Sequence, residues 1–293
     1  MEDLAGEREM IIKESKSNNL RRWSLKDGTV NPLFYEIKDR FPIPARQYFA
    51  GVWDGDGYQR NRKKTNGLNK TLQLCLDMAE NGKEPVLMLA QIFDLTIRYV
   101  TRKGEKYKNY QPSYIVDLGG PKGEMFLLLI YPYLIENRSI VREILLEREC
   151  PEDLLKEGFQ FSWPYLSGYA DAEGNYCMKL LHQKRTSGRG VKSYYKFRFT
   201  LTSNDFESLR FIKQQIINRG FKFRKEDVQT YKNRKKREGT NPEKWRPTLH
   251  IYLKGGPAEL SKLYKNFYRY SLIKKKKDIM EKTMEYSRII CGQ

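Results

Sequence analysis

Histidine is almost missing from this sequence: His182 and His250 are the two in 293 residues. Chemistry built on histidine clusters lacks its ligands here, so a hydrolytic site must rely on carboxylates, lysines or both. Cysteine is also thin. Cys75, Cys150, Cys177 and Cys291 are scattered with no CxxC pair, which argues against structural zinc and a disulfide framework and fits a reducing, intracellular compartment, cytoplasm or organelle. Long hydrophobic runs are absent. The longest apolar stretches, residues 86–93 and 125–135, fall short of the roughly 20 residues a spanning helix needs, so no membrane-spanning helix is expected. The opening Glu2, Asp3, Glu7 and Glu9 are wrong for a signal or transit peptide. Acid is in deficit: 36 Asp plus Glu face 55 Lys plus Arg, a net charge of +19. Self-repulsion on that scale opposes a compact fold unless a polyanion takes it up. Nucleic acid and an anionic membrane are the candidate partners, and a merely soluble or ribosome-associated basic surface is the plain alternative.

What is present is a globular composition, 39% hydrophobic and 13% aromatic, long enough for two modest domains or one large one. The chain also repeats itself. FAGVWDGDG at 49–57 and LSGYADAEG at 166–174 share an apolar residue, a small residue, Gly, two bulky residues, Asp, a small residue, an acid and Gly. Downstream, Leu118-Gly119-Gly120-Pro121 resembles Lys254-Gly255-Gly256-Pro257. Each GGP leads into an apolar stretch ending in Tyr131-Pro132-Tyr133-Leu134 or Tyr268-Arg269-Tyr270-Ser271. Two separated matches in the same order indicate an internal duplication.

Each half reads as helix, two strands, helix, two strands, helix. In the second half, 162–173 is a helix and 175–183 a strand. Residues 194–202 alternate Phe197, Phe199 and Leu201 with Lys196, Arg198 and Thr200, the period of a strand with one buried face. Residues 206–219 are helical, with 221–224 and 248–253 as strands. The first half parallels this with strands at 71–76, 95–102 and 114–118 and a helix at 86–93. Residues 1–40 form an N-terminal extension, 41–135 the first half, 136–159 a helical linker broken at Pro151, and 160–293 the second half.

Gly51 and Gly55 are four apart, as are Gly168 and Ala172. Small residues at that spacing share one helix face and let two helices approach closely. Gly57 and Gly174 suit the left-handed position that ends a helix. Asp56 and Glu173 then stand at helix C-termini, where the dipole is already negative, and a divalent cation with hard oxygen ligands such as Mg2+ would resolve the repulsion. One copy of such a string would read as a solvated turn or a fragment of a calcium loop; two copies on matching helices favour the metal. Asp54 and Asp171 suit capping or backbone hydrogen bonds better than metal.

The two strings resemble the LAGLIDADG motif of the homing endonucleases, and the order of elements resembles that family from about residue 42 to 290. The resemblance implies an α+β fold of pseudo-twofold duplicated αββαββα halves, each with an antiparallel saddle-shaped sheet, joined at two packed LAGLIDADG helices. It implies a site-specific endonuclease that hydrolyses one phosphodiester in each strand of double-stranded DNA, acting as a monomer because both motifs are in one chain. The metal site would comprise Asp56, Glu173, Gly55 and Ala172, using Mg2+ or Mn2+, with Ca2+ binding but not supporting cleavage. A lysine expected after a Tyr-Pro-like step falls at Lys276 by count from Tyr270 and at Asn137 by count from Tyr131, with Arg138 beside it. The first half departs from the pattern there, which implies strand cuts of unequal efficiency. The KKKK run at 274–277 also reads as a solvated phosphate-binding run. A water-ordering polar residue is expected at Ser203 or Asn204; Met78 falls there in the first half.

Strand alternation sends every second side chain towards a DNA groove. That points to Arg60, Arg62, Lys64, Arg98 and Arg102 in the first half, and to Lys179, Gln183, Lys196, Arg198, Lys222, Arg224 and His250 in the second. The basic loops 182–192 and 232–246 look like phosphate clamps. Two other functions compete. One is an RNA maturase on the same fold, with host intron RNA as its partner; the other is a DNA-binding regulator with a degenerate site. The intact acids favour cleavage.

Overall fold

The computed structural model describes residues 32–63, 70–101, 111–148, 150, 152–155, 161–184, 191–203, 205–224 and 248–291. The chain forms two compact units, Met1–Gln160 and Phe161–Gln293.

In the first unit, α1 (Pro32–Arg40) and α2 (Ile43–Asp56) lead into β1 (Gly57–Lys63) and β2 (Lys70–Ala79). Helix α3 (Glu84–Phe93), β3 (Ile97–Val100), β4 (Ser113–Gly119), α4 (Gly120–Ile130) and α5 (Arg138–Glu147) follow. The strands pair antiparallel in the order β1-β2-β4-β3. Leu74, Leu76 and Met78 of β2 and Val116 and Leu118 of β4 are buried. The register sets them on one face of the sheet, and α3 and α4 pack there. Over that face sits an aromatic cluster. Phe126 lies 4.9 Å from Trp53 and 5.7 Å from Phe93 in edge-on contacts, an arrangement favoured by the ring quadrupoles. Each such buried side chain contributes about 1.5–3 kcal/mol of transfer free energy. Residues 32–40 add Ile37 to this core. Residues 138–147, expected in a linker, form a helix that buries Val141, Ile144 and Leu145 against α4.

The second unit repeats the plan with α6 (Trp163–Glu173), β5 (Gly174–Lys184), β6 (Val191–Thr202), α7 (Phe206–Asn218), β7 (Thr248–His250), α8 (Pro257–Phe267) and α9 (Lys274–Cys291). The sheet order is β5-β6-β7, antiparallel. Tyr176 stacks on Phe199 at 4.6 Å, and Tyr264 and Phe267 of α8 close over them. Two expected strands are reduced. Among the described residues, 221–224 pair through a bridge, Phe223 with Leu253, and the strand expected at 248–253 ends at His250. The alternation is real, since Phe221 and Phe223 are buried. Among the described residues two flanking backbone bonds extend the bridge, each 2.7 Å: Arg224 N–H to Tyr252 and Lys254 N–H to Lys222.

Candidate active site

Each unit brings its motif helix to an end at the edge of its sheet, and the same device holds both ends. In α2, Asp54 is 5% exposed. Its Oδ2 accepts the backbone N–H of Ile135 at 2.7 Å and its Oδ1 that of Asn137 at 2.8 Å. In α6, Asp171 is 1% exposed. Its Oδ2 accepts the N–H of Leu272 at 2.8 Å and, more weakly, of Ile273 at 3.4 Å, while its Oδ1 accepts the Ser271 hydroxyl at 2.7 Å. The buried acid of each motif therefore ties the helix end to the segment following the half's third helix, the role expected for it.

Two residues on, the situation reverses. Asp56 is exposed and Glu173 is half-exposed. Both terminate a helix whose last carbonyls carry negative partial charge, so each carboxylate stands in a negative environment. Gly55 and Ala172, immediately before them, are half-buried.

The glycines that follow end the helices for a different reason from the one expected. Gly57 (φ −71°, ψ 137°) and Gly174 (φ −82°, ψ 134°) are extended, not left-handed. A side chain is excluded by space. A Cβ on Gly57 would lie 2.4 Å from the Trp53 ring and 2.5 Å from its carbonyl oxygen; on Gly174 it would lie 2.3 Å from the Ala170 carbonyl oxygen. The chain turns from helix to strand so tightly that the strand's first residue touches the previous helical turn.

That turn is also where the two halves differ. In the second unit the Lys276 Nζ donates to the carbonyls of Ala170, at 2.8 Å, and of Asp171. In the first, the Asn137 Nδ2 donates to Trp53 at 3.0 Å. Trp53 and Ala170 each stand three residues before the motif acid, so Asn137 and Lys276 cap equivalent carbonyls. They do so from different positions. Asn137 directly precedes α5, whereas Lys276 is the third residue of α9, and the matching 3-10 turns begin at Tyr131 and Tyr268. Counting from Tyr131 and Tyr270 thus reached two residues with equivalent carbonyl contacts without a true register. Around Asn137 the hydrogen bonds close a ring: Trp53 Nε1 donates to Gln59 at 2.7 Å, and the Gln59 amide donates to Asn137 at 2.9 Å.

A further residue went unnoticed in the sequence. The Thr202 hydroxyl lies 3.0 Å from the Glu173 carboxylate and 3.0 Å from its backbone carbonyl. Gly174 pairs with Leu201 and Gly57 with Leu76, so Thr202 and Asp77 hold matching positions one step beyond. Ser203 and Met78, expected there, are buried instead, and Asn204 lies outside the described residues. Among the described residues no group of three or more His, Cys, Asp or Glu side chains could hold a metal ion. Each motif ends on one carboxylate, Asp56 or Glu173.

No protein-family profile matches the chain, and no curated protein does. Solved structures do. The LAGLIDADG meganuclease I-AabMI bound to uncleaved DNA superposes with a TM-score of 0.54 at 12% identity, over 84% of this chain and 91% of that one. The meganuclease I-SmaMI bound to uncleaveable DNA gives 0.54 at 13% identity, over 85% and 92%. The fold is that of the LAGLIDADG meganucleases.

Within this meganuclease fold the register sorts the expected DNA-contacting residues. In the second sheet Tyr176, Phe199, Leu201 and Leu249 face the helices. Lys179, Lys196, Arg198 and His250 alternate with them and occupy the opposite face. Lys179 and Lys196 are direct cross-strand partners and both exposed. Like charges so placed destabilise a strand pair. His250 is half-buried, its ring stacked 5.6 Å from that of Tyr252. Lys222 and Arg224 are exposed, alternating with buried Phe221 and Phe223.

In the first sheet Arg98 lies on the face opposite the core, ion-paired with Asp117. Cys75 pairs with Asp117 in the register, and its thiol is pushed up to about 11, by burial first and then by Asp117 and Asp77. Arg60, Arg62 and Gln183 lie in strands, but their side chains are outside the described residues, as are Lys64, Arg102 and the loops 185–190 and 225–247. No helix among the described residues is long and apolar enough to cross a membrane.

Proposed function

We propose that the protein belongs to the LAGLIDADG homing endonucleases and acts as a monomer on double-stranded DNA, hydrolysing one phosphodiester in each strand at a specific site with Mg2+ or Mn2+. The observation that carries this reading is the division of labour in both motifs. Asp54 and Asp171 are buried and anchor the helix ends, whereas Asp56 and Glu173, at the last helical turn, are the more exposed acids of each motif. Splicing or plain DNA binding needs no such carboxylate.

The residues fit the ion. A single carboxylate per half, with the backbone oxygens of Gly55 and Ala172 beside it, is the incomplete set that Mg2+ tolerates, since it keeps several waters and takes substrate phosphate oxygens. Bound there, the cation would acidify the attacking water and neutralise charge building on the phosphorus. The chain does the rest. Lys276 holds a fixed positive charge against the last turn of α6, where it can stabilise developing negative charge. Asn137 offers a neutral donor at the equivalent carbonyl. The Thr202 hydroxyl orients Glu173. No side chain is required as a general base. The opposed Lys179 and Lys196, with Arg198, form a face whose self-repulsion a polyanion would relieve. The DNA-bound state of the two neighbours supports a duplex as that polyanion. The compartment proposed is intracellular and reducing.

A supercoiled plasmid carrying the uninterrupted host locus tests this. Protein with Mg2+ should linearise it, and Ca2+ should support binding without cleavage. Asp56→Asn and Glu173→Gln should each abolish linearisation and retain binding. Duplex binding with no cut under any divalent metal would leave a DNA-binding regulator; stimulated splicing of the host intron RNA without cleavage would leave a maturase.

A further inference from the structure

The first sheet carries an exposed ion pair away from the motif helix. On the face opposite the core, the Arg98 guanidinium is held by one carboxylate oxygen. Asp117 Oδ2 accepts both the Nε–H, at 2.9 Å, and an Nη2–H. Arg98 is in β3 and Asp117 in β4, two residues beyond Ile115, its cross-strand partner. Both side chains are open to solvent, 56% and 40% exposed.

The consequence follows from the shape of the group. A guanidinium has five N–H donors in a rigid plane. Asp117 occupies the edge formed by Nε and one Nη2 hydrogen, which fixes the plane and leaves the edge formed by Nη1 and the other Nη2 hydrogen free. That free edge presents two parallel donors. In the major groove guanine alone offers two adjacent acceptors, O6 and N7; adenine places a donor beside its acceptor. The carboxylate also restricts rotamers before any base arrives, so less side-chain entropy is lost on binding. On the second sheet's face Lys179 and Lys196, beside Arg198, are point charges, which suit phosphates better than a two-acceptor edge.

We infer that Arg98 and Asp117 together form a preset reader of a single guanine in the part of the target covered by the first sheet, with Asp117 as the positioning residue. This rests on the DNA-binding reading proposed above and names one of its specificity elements. A simpler role for Asp117 is to neutralise Arg98, and the two roles predict opposite effects of removing the acid.

The experiment is selection of the full chain on a pool of randomised duplexes in metal-free buffer, so that binding is read without cleavage. Wild type, Arg98→Ala, Arg98→Lys and Asp117→Ala are compared, with melting temperature as the check on folding. The wild type should select G·C strongly at one position. Arg98→Ala and Arg98→Lys should lose that preference by roughly 5- to 150-fold and leave other positions unchanged. Lysine keeps the charge and lacks the fork, so retained affinity with lost preference separates reading from attraction. Asp117→Ala should weaken binding to the selected duplex and relax the same position. The inference is overturned if Arg98→Ala alters no single position, or if Asp117→Ala binds more tightly with its preference intact. A wild type that selects nothing overturns the site-specific reading itself, and this inference with it.

Discussion

The two anchoring acids look interchangeable, yet their partners predict different responses to the same substitution. Asp54 accepts one backbone N–H on each oxygen. Asparagine has one oxygen to offer, so whichever way its amide turns, an –NH2 faces a backbone N–H. Asp54→Asn therefore loses a charge-assisted hydrogen bond, about 1.5–3 kcal/mol, and leaves a desolvated donor, about 1–3 kcal/mol more. A total of about 3 kcal/mol or above is expected. Asp171 differs because one of its partners is the Ser271 hydroxyl. A hydroxyl donates or accepts by rotating, so Asp171→Asn can keep its oxygen on Leu272 N–H and give its –NH2 to Ser271. The loss there should be about 1 kcal/mol. For units of this size 1 kcal/mol moves the melting temperature by roughly 2–4 °C. Thermal unfolding of the intact chain should thus show a shift of about 6–12 °C for Asp54→Asn and about 2–4 °C for Asp171→Asn. Ser271→Ala in the Asp171→Asn background should remove the difference, a coupling that a double-mutant cycle measures directly. Equal shifts for the two single variants would refute the argument that partner chemistry, rather than burial, sets the cost.

Gly57→Ala and Gly174→Ala should each cost about 1–3 kcal/mol from crowding, because their dihedrals suit alanine and only the space does not; urea unfolding reads it, and a neutral result would refute the steric account. Thr202→Val should raise the Mg2+ concentration needed for half-maximal cleavage, while Thr202→Ser should restore it, since only the hydroxyl touches Glu173. Lys179→Ala should stabilise the free protein by a few tenths of a kcal/mol by removing a like-charge pair and should lower the salt slope of DNA binding by roughly one; loss of stability would count against the opposed-lysine reading. Cys75 should react slowly with thiol reagents at pH 8, because a thiol pushed up to about 11 stays protonated, and Asp117→Asn should speed it; mass-spectrometric mapping of the label distinguishes it from the other cysteines.

The duplication and the motif were legible because they are written in residue identity at fixed spacing. The basic face of the second sheet was legible because period-2 alternation forces it: once Phe197, Phe199 and Leu201 share a face, Lys196 and Arg198 have only the other. What stayed hidden depends on distances that no spacing encodes. The glycine at each helix end was expected for its φ, but what matters is a carbonyl oxygen 2.3–2.5 Å from the missing Cβ. Thr202 is 29 residues from Glu173, and only the strand register brings it there. The Trp53, Gln59 and Asn137 ring closes across 84 residues through amides that look like ordinary surface residues. The strand at 221–224 was read from genuine alternation, but a strand also needs a partner of matching length, and Phe223 has a bridge.

The pattern of what matches and what differs between the halves itself bears on function. Groups that fix the backbone are duplicated: a buried Asp accepting N–H groups, a glycine with no room for Cβ, and a donor on the carbonyl three residues before the motif acid. Groups around that acid are not. The donor is an ammonium in one half and an amide in the other, and the step beyond the strand pair is Thr202 in one and Asp77 in the other. The halves differ elsewhere too, in strand number and in the partners of the anchoring Asp54 and Asp171, but a purely structural duplication would give no reason for the difference beside the acid. An endonuclease on an asymmetric duplex would, because each strand meets a different half. Asn137→Lys therefore separates the two views. If the motif acids cut DNA, restoring an ammonium beside the first motif should change the rate of one strand's cut relative to the other, visible as a changed amount of nicked plasmid before linearisation. If that ratio does not move while the fold is intact, the difference between the halves has nothing to do with strand cutting.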